Sequence, residues 1–318
     1  MKGHLPYHRI FCRRFPVKSL VKQPEGMLYL CRSNTLCRQG FMQQNLCVGG
    51  TGTEKKRDRN KTMIFDTHAH YDDEAFEEDR EALLESLKDG GIGAVMNVAA
   101  SLESCRTTLL LAGHYDWMYA ALGVHPSGTA ELDEAGLKWM EFQCSHEKVR
   151  AVGEIGLDYY WEEPEHSVQK IWFVRQLDLA RKVKLPVIIH SRDAAKDTLD
   201  IMKAEKAGDM GGVVHCFSYG KEIAREYLDM GFFLGIGGVS TFNNAKKLKE
   251  VVEYAPLESL VLETDCPYLS PVPNRGKRNS SLNLSYVVDA VSALKGVDRE
   301  TVIRVTWDNA LRLYGMQH

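Results

Sequence analysis

Residues 165–192 read EHSVQKIWFVRQLDLARKVKLPVIIHSR, and a change of period inside this stretch decides the fold. Val168, Ile171, Trp172, Leu179 and Val183 recur at helical spacing with charges on the other face, so a helix is expected from about Glu165 to Leu185. Pro186 cannot continue it. The next run, Val187-Ile188-Ile189, is apolar without alternation, as a parallel strand covered on both faces should be. A helix leading straight into such a strand is part of a βαβ unit.

The same beat extends in both directions from this stretch. Short apolar runs end at or near His68, Val98, Val124, Glu154, His190, His215, Ile236 and Thr264, spaced by 21 to 36 residues. Eight parallel strands favour a closed sheet over an open doubly wound one. The 256 residues from Met63 to His318 match the roughly 250 of a (β/α)₈ barrel. A distorted TIM barrel over 63–318 is therefore expected, with one irregular unit around Gly235–Gly238.

Residues 1–62 differ in kind. They hold 13 of the 40 Lys and Arg but only 3 of the 43 Asp and Glu, a net +10, whereas the remainder carries −13. Pro6, Pro16 and Pro24 interrupt any amphipathic helix there, and the apolar stretch of a secretory signal is missing. The expectation is a basic extension of low order, with translation starting at Met63, which opens a hydrophobic strand directly. Cys12, Cys31, Cys37 and Cys47 lie in it, and no C-x-x-C pair occurs, which disfavours a zinc knuckle. The four later cysteines, Cys105, Cys144, Cys216 and Cys266, suit free thiols in a reducing compartment, so a cytoplasmic location is expected. No run approaches the roughly 18 apolar residues of a membrane helix.

The polar residues at the strand ends carry the chemistry. The first strand runs into His68-Ala69-His70, two imidazoles that alternation points the same way. The fourth delivers Glu154, the fifth His190, the sixth His215 and the eighth Asp265. In a (β/α)₈ barrel these carboxyl ends converge on one face. A lone strand histidine is most often satisfied by a backbone hydrogen bond. Four imidazoles and two carboxylates buried together without a cation would leave unpaired charge. The residues thus point to two divalent cations with Glu154 between them, an arrangement suited to hydrolysis by in-line displacement. Cys216 and Cys266 follow ligand positions, but with no separate histidine to activate them packing is the expected role. Asp158 and Asp193 are open between orienting those histidines and capping the following helices.

The stretches Phe65-Asp66-Thr67-His68-Ala69-His70, Gly123-Val124-His125-Pro126, Gly153-Glu154-Ile155-Gly156-Leu157-Asp158-Tyr159, Pro186-Val187-Ile188-Ile189-His190-Ser191-Arg192, His215-Cys216-Phe217-Ser218 and Glu263-Thr264-Asp265-Cys266-Pro267-Tyr268-Leu269 closely resemble the TatD-type metal-dependent deoxyribonucleases. The resemblance covers residues 63–318. It implies a distorted TIM barrel of the amidohydrolase-like superfamily, and metal-dependent phosphodiester hydrolysis that trims DNA from the 3′ end. By the same resemblance His68, His70, Glu154 and Asp265 hold one metal, and Glu154, His190 and His215 the second. Asp265 doubles as the water-orienting base, and His125 contacts the phosphate.

Pro271-Val272-Pro273-Asn274-Arg275-Gly276-Lys277-Arg278-Asn279 follows the last strand on the same face. Arg275, which can fork onto two phosphate oxygens, is the first choice for substrate and Lys277 the second. The resembled family commonly continues this loop with an acidic residue and a proline, where Ser280-Ser281-Leu282 stand here. The acidic barrel is unusual for a nuclease. Two cations with Arg192, Arg275, Lys277 and Arg278 would make the mouth locally positive, which predicts a small footprint on single-stranded DNA ends and a shallow salt dependence. Four imidazoles favour Zn, Mn, Fe or Co, whereas the resemblance implies turnover with Mg. A monomer is the expected state. The alternative is a C–N or ester hydrolase of a small molecule on the same dinuclear site, and a neutral substrate of that kind would not need the cationic loop.

Overall fold

The computed structural model describes residues 63–317. The basic segment 1–62, with the expectations of low order and a start at Met63, lies outside the described residues. The chain forms a single sheet of eight parallel strands in sequence order: β1 (Ile64–Ala69), β2 (Ile92–Val98), β3 (Met118–Leu122), β4 (Val149–Asp158), β5 (Val187–Arg192), β6 (Gly212–Val214), β7 (Phe233–Ile236) and β8 (Leu260–Leu262). Around it run α1 (Arg80–Ser86), α2 (Leu102–His114), α3 (Glu134–Gln143), α4 (His166–Val183), α5 (Ala195–Ala204), α6 (Lys221–Asp229), α7 (Lys246–Tyr254), α8 (Leu284–Lys295) and α9 (Arg299–Leu313). This is the TIM barrel expected from the apolar beat. The seventh unit carries a 3₁₀ turn at Gly238–Thr241 between β7 and α7, but so do the first at Glu74–Phe76 and the third at Pro126–Glu131, so it is not singular.

The barrel closes beyond the end of its last strand. Ala69 bridges Cys266 in parallel, His70 donates its N–H to the Cys266 carbonyl at 2.9 Å, and Asp265 donates to His68 at 2.9 Å. Buried Asp66 reinforces the seam. Its carboxylate accepts from the Thr264 N–H (3.0 Å), the Thr264 hydroxyl (2.6 Å) and the Ser281 hydroxyl (2.6 Å). No regular ladder joins β1 to β8, so this closure is the distortion of the barrel.

Alternation along the strands sorts residues between an inner and an outer face. Phe65, Met96, Ile188, Val213 and Val261 pack against one another inside the barrel. The C-terminal helix plugs its lower end, with the Trp307 and Tyr314 rings each 5.8 Å from Phe65 and the Tyr314 hydroxyl on the Thr67 carbonyl (2.9 Å). Residues two further along the same inner face, His190 after Ile188 and His215 after Val213, then stand in a polar layer above an apolar floor.

The α4 helix was expected in the right place but its buried stripe differs. Phe173, Gln176, Leu177 and Ala180 face the sheet, whereas Ile171 is 60% exposed. Two glutamines belong to that stripe because they satisfy strand ends. Gln176 takes the Val124 N–H and donates to its carbonyl, and Gln169 does the same for Asp158. Polar lettering therefore hid the inward face. Pro186 does not itself end the helix; Lys184 already leaves it in the left-handed region.

Candidate metal centre

Glu154 occupies the middle of the polar layer. Its Oε1 lies 2.6 Å from His190 Nδ1 and 2.6 Å from His215 Nε2, while its Oε2 lies 3.6 Å from His68 Nε2 and 3.9 Å from His70 Nε2. Asp265 stands on the other side of the first histidine pair, 3.3 Å from His70 Nε2 and 3.8 Å from His68 Nε2. All six residues that the sequence singled out thus meet. They fall into two ligand groups, His68, His70 and Asp265 in one and Glu154, His190 and His215 in the other.

Close backbone approach makes this packing feasible. Gly156, at φ +145°, passes so near β5 that a Cβ there would stand 1.9 Å from the His190 carbonyl oxygen. A side chain at Gly156 would push His190 away from Glu154.

The donor set fits cations. His68 Nε2 and His70 Nε2 are 3.1 Å apart, and so are His190 Nδ1 and His215 Nε2. Donors at right angles around an ion with metal–nitrogen bonds of about 2.1 Å would be separated by about 3.0 Å. Either a proton shared between the two nitrogens or a cation bound by both meets that distance. The titration of the groups makes the same demand. Burial works against the proton on His70, yet Asp265 and then Glu154 outweigh it and raise the imidazole to about 10. Burial likewise opposes the proton on His190, and Glu154 with Asp158 raises it to about 9. Burial pushes Glu154 upward, but His215 and His190 hold it well below the usual carboxylate range. Two carboxylates embedded here thus recruit protons onto imidazoles, and divalent cations would answer the same field.

His125 stands at the edge of this cluster, edge-to-face on His190 (4.3 Å) with its Nε2 4.0 Å from Glu154 Oε1. Its Nδ1 accepts the Ser127 backbone N–H (3.1 Å), which leaves the proton of the neutral ring on Nε2. Burial, followed by His190, lowers His125 to about 3, so it presents a neutral N–H donor. Asp158 stands against His190 and caps no helix, since α4 begins at His166 behind Glu165. Oδ2 lies 3.2 Å from His190 Nε2, and Oδ1 accepts from the Tyr160 N–H at 3.0 Å. Asp193 does neither: it is exposed at φ +54°, and α5 has no side-chain cap.

Glu263, two residues before Asp265, joins the cluster although its place in the sequence carries no expected role. It is buried on the inner face, its Oε1 accepts from the Cys216 N–H, and its Oε2 has no partner. The Nδ1 atoms of His68 and His215 are the other unpartnered buried atoms at this spot, and the three residues offer ligand atoms within 4.8 Å of one another. The His68 and His215 rings stack at 4.0 Å. Burial first, then Asp265 and Asp66 against the opposing His215, raises Glu263 to about 8. Spacing could have flagged it, since Glu263 follows Val261 by two.

The expected substrate residues are less uniformly placed. Arg192 lies over the Tyr160 ring at 3.8 Å, two residues beyond His190. Arg275 is exposed and lies over Phe242 (4.4 Å), and Lys277 is exposed beside it. Arg278 is diverted instead. It pairs with Asp79 through both nitrogens (2.7 and 2.6 Å), which removes one cation from the loop. Cys266 is buried, Cys216 is half-buried, and burial pushes both thiols up, consistent with inert packing.

Residues 65–315 match the TatD related DNase family. The chain belongs to that family. It is 42% identical to the metal-dependent hydrolase YabD of Bacillus subtilis over 252 residues, 79% of this chain and 99% of that one. It is 38% identical to the metal-dependent hydrolase TatD of Mycobacterium tuberculosis over 240 residues, 74% of this chain and 90% of that one. Among solved structures it resembles YjjV, a TatD homologue from Escherichia coli K12, with a TM-score of 0.77 at 31% identity, covering 81% of this chain and 100% of the other. As a TatD-family member the chain is a metal-dependent hydrolase on a TIM barrel.

Proposed function

We propose that this hydrolase cleaves phosphodiester bonds of DNA, acting from the 3′ end of single strands, with two divalent cations held by His68, His70, Glu154 and Asp265 on one side and Glu154, His190 and His215 on the other. The observation that carries the reading is the position of Glu154 between two imidazole pairs at the mouth of the barrel. Divalent cations bound there supply Lewis acidity, offsetting charge on phosphate oxygens and easing deprotonation of water.

The chain's own groups account for the rest. Asp265, which burial would raise, is held below the usual carboxylate range by His70, His215 and His68, so it is ionised and able to take the proton of the attacking water. The water oxygen bonds to phosphorus as the P–O3′ bond breaks. The electron pair leaves on the 3′-oxygen, which is protonated from solvent, and a 5′-mononucleotide is released. His125 Nε2–H donates to a phosphate oxygen, while Arg192, Arg275 and Lys277 take the flanking phosphates.

The test is release of mononucleotides from a 3′-labelled single strand, beside a panel of amide and ester substrates. Cleavage that stops on chelation and returns with Mg²⁺, Mn²⁺ or Zn²⁺ supports the reading. Turnover confined to a neutral amide or ester would favour small-molecule hydrolysis instead. Full activity after complete chelation would eliminate the mechanism.

A further inference from the structure

Beyond Asp158 the chain leaves β4 through Tyr159-Tyr160-Trp161, and the three rings part company. Tyr159 turns inward, donating its hydroxyl to Asp197 (2.8 Å) and stacking on His166 at 3.7 Å. Tyr160 and Trp161 turn outward, 47% and 44% exposed, and meet edge-to-face at 4.8 Å and 88°. We propose that Tyr160 and Trp161 form a nucleobase-stacking platform beside the metal centre, which seats an unpaired base of the strand being cut.

Three observations place the platform at the chemistry. The Tyr160 N–H is held by Asp158, whose other oxygen lies 3.2 Å from His190, so one carboxylate ties the aromatic loop to a candidate ligand. Arg192, two residues past His190, covers a face of the Tyr160 ring at 3.8 Å. Cation–π contact of this kind fixes the tyrosine and brings positive charge to where a phosphate beside a stacked base would lie. The two rings touch each other and so leave a continuous aromatic surface in water beside that polar site.

A nucleobase is the ligand that fits. Every base has a π-face, so stacking tolerates any sequence, and base–aromatic stacking is worth about one order of magnitude in affinity per base. The platform would also favour single strands, because bases in a duplex are already stacked on their neighbours. It rests on the nuclease reading above and adds a source of strand selectivity that the six metal-type residues lack.

The test compares kcat/KM on two single-stranded oligonucleotides, one with normal 3′-terminal nucleotides and one whose last two nucleotides are abasic. Wild type should prefer the base-bearing strand by about tenfold, carried in KM. Trp161→Ala and Tyr160→Leu should bring that ratio close to one, and Trp161→Phe should keep most of it. A ratio unchanged in both variants, or a wild type indifferent to the bases, would overturn the platform and leave the nuclease reading standing. Failure of the wild type to cut either strand would sink both.

Discussion

Asp66 grips Thr264 twice, taking its backbone N–H on Oδ1 and its hydroxyl on Oδ2, across 198 positions of sequence. The carboxylate seals the first strand of the barrel to the segment that carries Asp265. Replacing it with Ala would leave the Thr264 N–H and the Ser281 hydroxyl buried without their acceptor. Asp66→Ala should lower stability by about 3 kcal/mol, read as a drop in the urea midpoint at constant m. An unchanged midpoint would show that the seam holds without it.

Glu154→Gln and His190→Ala should each reduce turnover well beyond the roughly 10–100-fold typical of outer-shell changes. Far-UV circular dichroism and thermal midpoint should show the barrel intact. A fully active variant would displace Glu154 from the centre of the site.

Metal loading should release protons. With values of about 10 and 9, His70 and His190 each hold a proton near neutrality in the metal-free protein, and a cation needs the bare nitrogen. Affinity for Mn²⁺ or Zn²⁺ should therefore rise with pH. Calorimetry at about pH 8 in buffers of different ionisation enthalpy should count about two protons expelled on loading. No release would place the cation away from these rings.

Glu263 lies behind the two stacked histidines, where its carboxyl oxygen can receive their Nδ1–H groups directly or through an enclosed water. Glu263→Ala should weaken metal binding by about 10–100-fold while leaving Asp265 and the barrel in place. Equal affinity in the two proteins would restrict Glu263 to its contact with the Cys216 N–H.

Because Arg278 is engaged by Asp79, few cations remain to meet phosphate at the mouth. The logarithm of binding constant against that of salt should fall with a slope of about −2 to −3, at fixed free metal. A slope near that of a protein making ten phosphate contacts would require a long basic track.

Eight strands were legible because parallel strands covered on both faces leave unbroken apolar runs, and all eight lie where those runs ended. Boundaries drifted where backbone geometry overrode the pattern. β4 continues to Asp158 because Gly156 lets it hug β5, and β8 stops at Leu262, before the closure that Asp265 and Cys266 complete. Five of the six clustered residues were readable since each stands near or just beyond a strand end, whereas Glu154 lies inside β4, four residues before Asp158. Their supporting groups were less so. Gln169 and Gln176 look like surface letters until the strand ends they satisfy are known, and Glu263 is hidden by its neighbour Asp265. The fate of Arg278 depended on Asp79, 199 residues away, which no local pattern announces.

The late seam also imposes an order of events on synthesis. A nascent chain on the ribosome has already exposed all eight strands and five of the six clustered groups before Asp265 and Ser281 emerge. Until then the ring has no seam to close it and one clustered carboxylate is missing, so a product cut short before Asp265 should show no hydrolase activity.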